Sequence, residues 1–157
     1  MDNLADIFAR NCIVKRIDKP AAADFLNRHH RLGDTTCRYR YGLFVRRNTG
    51  SRELALEPGT LVAVSEFSNA RRWLKDGVRT SSYEWIRYAS LTGTRVVGGM
   101  GKMLKAFIRD VNPDDIMSYA DISWPDGGEV YAKLGFREEG AVERPGFVCR
   151  KFRMKVK

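Results

Sequence analysis

The sequence has 157 residues, of which 43% are hydrophobic and 30% are charged, and its formal net charge at pH 7 is +9. This length suits a single domain, residues 1–157, with its own core, and no apolar run approaches the roughly 20 residues that a bilayer-spanning helix needs. Residues 1–6 lack the basic region and apolar stretch of a secretory signal, so we expect a cytoplasmic protein with no membrane partner.

The charge and the cysteines narrow the range of partners. An excess of lysine and arginine favours anionic partners, which include a cofactor phosphate, a nucleic acid or an acidic surface, and charge alone does not choose among them. The cysteines are Cys12, Cys37 and Cys149, an odd number without paired metal-ligand spacing. We therefore expect reduced thiols and no metal site.

The first half of the chain alternates apolar stretches with turn residues. Proline in a first helical turn and the residue pattern predict a helix from Pro20 through His29, with Ala22, Phe25, Leu26 and His29 on one face. Strands are predicted at residues 12–17, 39–45, 60–67 and 82–90.

The second half contains the clearest helix. Apolar residues repeat at helical spacing from Met100 to Val111, and Asn112-Pro113 ends the repeat. A buried strand at 116–120, a short helix at 129–134 and two closing strands at 136–142 and 147–155 follow. The elements predict an α/β fold with a mixed, mostly antiparallel sheet of about seven strands flanked by helices.

Two of these strands are joined through the long helix. Strands 82–90 and 116–120 should therefore be parallel, with a right-handed crossover. Ligands of open α/β sheets collect at the carboxyl ends of such strands, where the connecting helix begins. The sequence predicts a binding site at this end of the sheet.

A glycine-rich turn occupies that position. Glycine at 98, 99 and 101 lets backbone N–H groups from Val97 through Lys102 approach a ligand, and the helix start favours an anion such as a diphosphate. Lys102 would add charge to a phosphate or point to solvent. The alternative is a structural turn that only starts the helix.

Two blocks of residues resemble the GNAT superfamily of acetyl-coenzyme A dependent N-acetyltransferases. The turn is similar to the family pattern Q/R-x-x-G-x-G/A, with Gly99 and Gly101 on the glycines, Val96 in the Gln/Arg place and Arg95 one place early. Residues 131–136, Y-A-K-L-G-F, are similar to the family stretch Y-x-K-L-G-F. The resemblance implies a cofactor site for acetyl-coenzyme A (acetyl-CoA) at Val96, Val97, Gly98, Gly99, Met100, Gly101 and Lys102.

The resemblance also implies a reaction. An amine of an unidentified acceptor attacks the acetyl thioester directly, without a covalent enzyme intermediate. Glu84 stands where many family members place a base, and Tyr131 stands where they carry the acid that protonates the thiolate. A backbone N–H near Tyr88 or Ala89 would stabilise the oxyanion. The alternatives are a Glu84 carboxylate paired with Arg87 or another arginine, and a Tyr131 ring that only packs on the sheet.

Three further residues are candidates for acceptor binding. His29 and His30 lie in the region that shapes the acceptor pocket of the superfamily, and Asp121 ends the strand beside the predicted cofactor site. A neutral histidine suits a base or a hydrogen-bond donor, and an acid at a strand end suits an amine. The alternatives are exposed polar histidines and an aspartate that caps the following turn.

Three possibilities remain open at this stage. The stretch S-Y-A-D followed by G-G-x-V-Y also resembles a divergent GNAT branch that includes the phage Mom protein, which modifies adenine in DNA, so a nucleic-acid acceptor is one alternative. A noncatalytic module with the same fold is another. Edge strands of such a sheet often pair between subunits, so a homodimer is a further expectation.

Overall fold

The computed structural model describes residues 4–47, 56–121 and 128–157. The strands and helices predicted from the sequence are all present in it, although some of their ends differ. The elements are β1 (Ala5–Phe8), a 3₁₀ turn (Ala9–Asn11), β2 (Cys12–Arg16), α1 (Lys19–His29), β3 (Tyr39–Val45), β4 (Leu61–Phe67), β5 (Arg71–Lys75), β6 (Val78–Ser90), β7 (Thr94–Val97), α2 (Gly99–Val111), β8 (Asp115–Asp121), α3 (Glu129–Lys133), β9 (Arg137–Arg144) and β10 (Phe147–Lys155).

One large sheet organises the molecule. In the described part of the chain it has eight strands in the order β2-β3-β4-β6-β8-β10-β9, with β5 paired to β6. All of its neighbours are antiparallel except β6 and β8, which run parallel from the pair Ser82/Asp115 to the pair Trp85/Ser118. The predicted fold class and parallel pair are confirmed, and the predicted number of strands was one too low.

The additional strand belongs to a hairpin. β5 pairs with the first residues of β6, and Asp76 and Gly77 form the turn with φ values of 50° and 77°. Positive φ at both central residues is typical of the tight turns that Asp-Gly favours between two strands. β6 therefore begins at Val78, four residues before the predicted start at Ser82.

A second, two-stranded ribbon lies beside the main sheet. β1 and β7 pair in parallel, from Ala5 opposite Thr94 to Phe8 opposite Val97. Each strand has only four residues, which is too short for the alternation that reveals a strand in a sequence. The ribbon ends immediately before α2, so it fixes the position of the glycine turn.

The two longer helices cover opposite faces of the sheet. Phe107 of α2 stacks on Phe67 of β4 with ring centroids 3.9 Å apart. On the other face, Phe25 and Leu26 of α1 pack with Val64 of β4. No helix within the described ranges is long and apolar enough to cross a membrane.

The ends of these helices follow the predicted signals. The carboxylate of Asp18 accepts a hydrogen bond from the backbone N–H of Ala21 at 3.0 Å, and Pro20 lies in the first turn of α1. Asn112 ends α2 in the left-handed conformation with φ of 53°, as a residue before proline at a helix end can do.

The carboxylate of Glu66 is buried within the sheet. Glu66 of β4 is 0% exposed, and the side chains of Asp34 and Cys37 lie near enough to interact with its carboxylate. The nearest cation is Arg40 of β3, with its Nε 3.8 Å from Oε2. Burial raises the pKa of Glu66 to about 7, because the charged form loses its hydration.

Candidate active site

The turn before α2 presents backbone donors without partners. Gly98 is the N-terminal cap, and the N–H of Lys102 donates to its carbonyl oxygen at 3.1 Å, which is the first bond of the helix. No described residue accepts a hydrogen bond from the N–H groups of Gly98, Gly99, Met100 or Gly101. Four free amides at the positive end of a helix form a site suited to an anion.

The structure gives separate reasons for two of the glycines. Gly98 has a φ of 79°, a conformation that other residues adopt only with strain. A Cβ on Gly99 would lie 2.7 Å from Cγ1 of Val96 and 3.0 Å from the hydroxyl of Tyr88. Gly101 has neither constraint, since a Cβ there would meet only Cδ2 of Leu134 at 3.4 Å. The fold therefore requires glycine at positions 98 and 99 but does not require it at position 101.

Lys102 does not take either of its two predicted positions. Its ammonium donates to the carbonyl oxygens of Ala9 at 2.9 Å and Cys12 at 2.6 Å, at the ends of the 3₁₀ turn. Its backbone N–H is bonded within the helix. The ammonium and the backbone N–H of Lys102 therefore both have acceptors. Lys102 joins the 3₁₀ turn to the start of α2, and its backbone N–H is not one of the free amides. Val96 and Val97 lie in β7, where Val96 packs under Gly99.

A gap opens in the sheet next to this turn. The pairing between β6 and β8 ends at Trp85 and Ser118, although both strands continue, to Ser90 and Asp121. A cavity of about 720 Å³ occupies this region. The residues that border it come from both strands, from α2 and α3, and from the segments after α1 and around the β9–β10 turn.

The cavity borders both faces of the sheet. Ala120 lies in the core that packs against α2, and its neighbours Tyr119 and Asp121 point to the opposite face, because side chains alternate along a strand. All three line the cavity. Met100, Val130 and Tyr131 form its apolar wall, and its polar wall carries charged groups from β6, β8 and the segment after α1.

Glu84 borders the polar wall. Its side chain is 21% exposed, and the Nη2 atom of Arg71 lies 4.0 Å from its Oε1. Burial raises the pKa of Glu84 above its ordinary value, and the positive charge of Arg71 opposes part of that rise. The arginine nearest to the carboxylate is Arg71, which fits the alternative of a Glu84 paired with Arg87 or another arginine.

Tyr131 is held by a hydroxyl and a carbonyl group. The Ser118 hydroxyl donates to the carbonyl oxygen of Trp85 at 3.0 Å, and its Oγ lies 2.9 Å from the phenol oxygen of Tyr131. The Tyr131 ring stacks on Phe152 with centroids 5.1 Å apart. Burial raises the pKa of the Tyr131 phenol. Tyr131 therefore packs on the sheet and also borders the cavity.

The two histidines have different surroundings. His30 lines the cavity, and its Nδ1 accepts a hydrogen bond from the backbone N–H of Leu32 at 3.0 Å. His29 is not among the cavity residues: its Nδ1 accepts from the backbone N–H of Thr92 at 3.1 Å, and its ring lies on Phe25. The structure therefore places His30, but not His29, at the border of the cavity. The side chain at position 29 follows the helix periodicity onto the core face.

Asp121 lies at the edge of the cavity beside an arginine. Its Oδ2 accepts from Nη2 of Arg31 at 3.1 Å, and its side chain is 11% exposed. The turn that it was alternatively expected to cap, residues 122–127, lies outside the described residues.

Solved structures reproduce this arrangement of strands and helices. The NatC complex bound to Gag peptide and CoA contains a chain that matches with a TM-score of 0.65 and 12% identity, covering 94% of this chain and 99% of that chain. A spermidine N-acetyltransferase from Vibrio cholerae matches with a TM-score of 0.65 and 10% identity, covering 93% and 94%. A GNAT family acetyltransferase from Elizabethkingia anophelis with acetyl-CoA bound matches with a TM-score of 0.61 and 14% identity, covering 93% and 99%.

The chain has the GNAT fold. No protein-family model matches the sequence, and no curated protein does so either. Identities of 10 to 14% establish the fold alone, so the GNAT fold leaves the activity of this chain to be argued from its own residues.

Three residues at the cavity were not predicted to belong to the site. Ser118, Arg87 and Arg144 border the cavity or contact its residues, yet none belongs to the two blocks that resemble the GNAT superfamily. The polarity of Ser118 within the apolar strand 116–120 was the one available signal, because a polar residue in a buried strand needs a partner. Arg87 was named only as a possible partner of Glu84, and Arg144 carried no signal among 28 lysines and arginines. In the described part of the chain, no group of three or more His, Cys, Asp or Glu residues is placed to hold a metal ion.

Proposed function

We propose that the protein is an acyltransferase that moves an acetyl group from acetyl-CoA to an amine. The observation that carries the proposal is the row of four free amides at Gly98–Gly101, beside a cavity that passes between β6 and β8. Solved structures of the same fold contain CoA or acetyl-CoA, which supports this choice of carrier. The acceptor of this chain is not identified by those proteins.

The carrier would bind on the α2 side of the sheet. The amides of Gly98, Gly99, Met100 and Gly101 would donate to the diphosphate, with the helix dipole adding to the attraction. The side chains of Met100 and Val130 line the cavity and would contact the arm that carries the thioester. Acetyl-CoA supplies an acetyl group activated as a thioester.

The amine would enter from the opposite face, where Glu84 lies. The amine nitrogen attacks the thioester carbonyl carbon, so a C–N bond forms and a C–S bond breaks. Glu84, with its raised pKa, takes the proton that the amine releases, directly or through water. Tyr131 gives its phenol proton to the thiolate that departs, and the phenol is recharged from solvent.

The oxyanion donor follows from the pairing of β6. The N–H of Leu91 donates to the carbonyl oxygen of Val62 in β4. Because backbone N–H directions alternate along a strand, the N–H of Ala89 also points toward β4. The N–H of Tyr88 points away from β4, toward the gap. Ala89 packs against α1 and does not line the cavity. Of the two predicted donors we therefore propose Tyr88.

Nuclear magnetic resonance (NMR) titration tests the carrier site. Acetyl-CoA should shift the amide resonances of Gly98, Gly99, Met100 and Gly101 saturably. Acetylated pantetheine, which lacks the diphosphate, should leave them nearly unmoved. Unmoved glycine amides at saturating acetyl-CoA would contradict the proposal.

The acceptor class needs a separate measurement. Thiol release from acetyl-CoA should appear with at least one member of a panel of primary amines. Carrier binding without thiol release across the panel would favour a noncatalytic module, and a salt-dependent gel shift with DNA would favour a nucleic-acid acceptor. The nucleic-acid acceptor and the homodimer stay predictions.

A further inference from the structure

The polar wall of the cavity carries more positive than negative charge. Three arginines border it, at positions 31, 87 and 144, together with the two acids Glu84 and Asp121. Both acids already have an arginine nearby: Asp121 pairs with Arg31 at 3.1 Å, and Glu84 lies 4.0 Å from Arg71. Among the described residues, no carboxylate lies within 4.0 Å of the guanidinium of Arg87 or Arg144.

Arg87 is fixed in place by carbonyl groups. Its Nε donates to the carbonyl oxygen of Gly33 at 2.9 Å, and its Nη1 donates to the carbonyl oxygen of Ile86 at 3.2 Å. These bonds orient the planar head and use two of its five N–H groups. Neither acceptor is charged, so the half-buried Arg87 has no close ion-pair partner among the described residues and acts on the Glu84 carboxylate only at longer range. A preoriented guanidinium with free donors suits a carboxylate or a phosphate.

His30 adds a neutral donor beside Arg87. Because Nδ1 accepts the N–H of Leu32, the proton of the neutral ring lies on Nε2. Burial lowers the pKa of His30 to about 4, and the positive charges of Arg87 and Arg31 lower it as well. At neutral pH the ring is therefore an uncharged hydrogen-bond donor, and the field around it is positive.

Arg144 contributes a cation at the rim of the cavity. It is the last residue of β9, it is exposed, and its guanidinium lies 5.0 Å from the ring centroid of Tyr119. The stacking leaves the N–H groups at its edge available to a ligand. Its charge is close enough to lower the pKa of Glu84, so Arg144 and the proposed base border the same space.

We propose that His30, Arg87 and Arg144 bind an acidic group, a carboxylate or a phosphate, on the molecule that donates the amine. The inference rests on the proposed function, since it describes the acceptor of that reaction. A cavity of about 720 Å³ falls within the range of small-molecule sites, which favours a small amino acid or amino phosphate over a polymer.

A binding experiment without acetyl-CoA tests this inference independently of turnover. The probes are N-acetylglycine for the carboxylate, phosphoethanolamine for the phosphate, and N-acetylethanolamine as the uncharged control. The readout is the NMR signals of the His30 ring and of the arginine Nε–H groups. At least one acidic probe should shift the signals of His30 and Arg87 saturably, and the uncharged probe should not.

Charge variants identify the residues responsible. Arg87→Gln and Arg144→Gln should each weaken binding of the acidic probe by about tenfold or more. Arg109→Gln makes the same charge change on α2, at an exposed position paired with Asp110, and should leave binding unchanged. If Arg87→Gln fails to fold, Arg144→Gln still decides the outcome, because Arg144 is exposed and makes no structural hydrogen bond to a described residue.

The outcomes separate the two proposals. If an acidic probe binds and the arginine variants bind it more weakly, the inference is supported even if no thiol is released. The inference is overturned if the uncharged probe shifts the signals as much as the acidic probes do. It is also overturned if both variants bind the acidic probe as tightly as the parent protein. Binding of an oligonucleotide without binding of either small acid also overturns it, in favour of a polymeric acceptor. Carrier shifts at Gly98–Gly101 without acid binding refute this inference and leave the proposed function intact.

Discussion

The hydroxyl oxygen of Ser118 lies 2.9 Å from the phenol oxygen of Tyr131 and 3.0 Å from the carbonyl oxygen of Trp85. Ser118 has a single hydrogen, which goes to the Trp85 carbonyl because a carbonyl oxygen can only accept. Tyr131 therefore directs its proton toward Ser118 while the cavity holds no thiolate. A departing thiolate would have to draw the proton away from Ser118, so Ser118 is a positioning residue for the proposed acid.

Substitution of Tyr131 by Phe should lower the rate of thiol release by roughly 10²-fold, the size of a typical acid–base contribution. Ser118→Ala alone should lower it less, because the phenol remains. Adding Ser118→Ala to Tyr131→Phe should cost almost nothing further, since Ser118 acts through the phenol. Steady-state kinetics of the four proteins test this cycle. If the two substitutions lowered the rate independently, so that their effects multiplied in the double variant, the assignment of Ser118 would be contradicted.

Glu84→Gln should lower kcat/KM by about 10²-fold or more and remove the acidic limb of its pH profile. A base works in its charged form, so activity falls as pH drops through the pKa of Glu84, which burial raises. An unchanged pH profile in Glu84→Gln would remove Glu84 from the mechanism.

Arg71→Gln provides a matched test of the same residue. The charge of Arg71 lowers the pKa of Glu84, so its loss should move the acidic limb to higher pH while the rate at high pH stays the same. The shift should be small, because the Arg71 side chain is 66% exposed and water screens its charge. A shift toward lower pH would contradict the proposed sign.

Gly101 offers a test of the carrier site that leaves the fold intact. A Cβ there would meet only Cδ2 of Leu134, at 3.4 Å. Gly101→Asp should weaken acetyl-CoA binding by about tenfold relative to the isosteric Gly101→Asn, because a carboxylate repels the diphosphate. Aspartate in a first helical turn is favourable, so the thermal midpoint should not fall below that of Gly101→Asn. Calorimetry of the two variants measures both quantities, and equal affinities would argue against a diphosphate at this turn.

Glu66 makes stability depend on pH. Its pKa rises from an ordinary 4.5 to about 7 in the folded protein. Between these values the folded chain holds a proton that the unfolded chain has released, so the free energy of unfolding falls as pH rises, by on the order of 3 kcal/mol in total. Glu66→Gln should therefore gain stability relative to the parent between pH 5 and pH 8. Denaturant unfolding at the two pH values tests this, and a constant difference would contradict it.

Long elements were predictable from the sequence because their signals are periodic. Helix α2 repeats apolar residues over several turns, and β3 and β10 have the predicted ends. The four-residue strands β1 and β7 gave no periodic signal, and their pairing joins residues about 90 positions apart. The β5–β6 hairpin does have a local signal, the Asp76-Gly77 pair, because Asp-Gly favours a tight turn between two strands.

The candidate site was predictable where its chemistry depends on the backbone. Glycine spacing and the start of a helix fixed the free amides, since these follow from local conformation. Side-chain directions were not accessible in the same way. Lys102 and His29 contact distant segments, near Ala9 and Thr92. The helix periodicity gives the face on which His29 lies, but the sequence holds no local sign of the partners of either residue.

The bonds from Lys102 to Ala9 and Cys12, together with the β1–β7 ribbon, tie the first described residues of the chain to the glycine turn. Segments that are far apart in the sequence are thus held together at the glycine turn. Deleting residues 4–8 should disturb the glycine turn, which begins about 90 residues later. For the same reason, affinity tags used in the assays above belong at the carboxyl end.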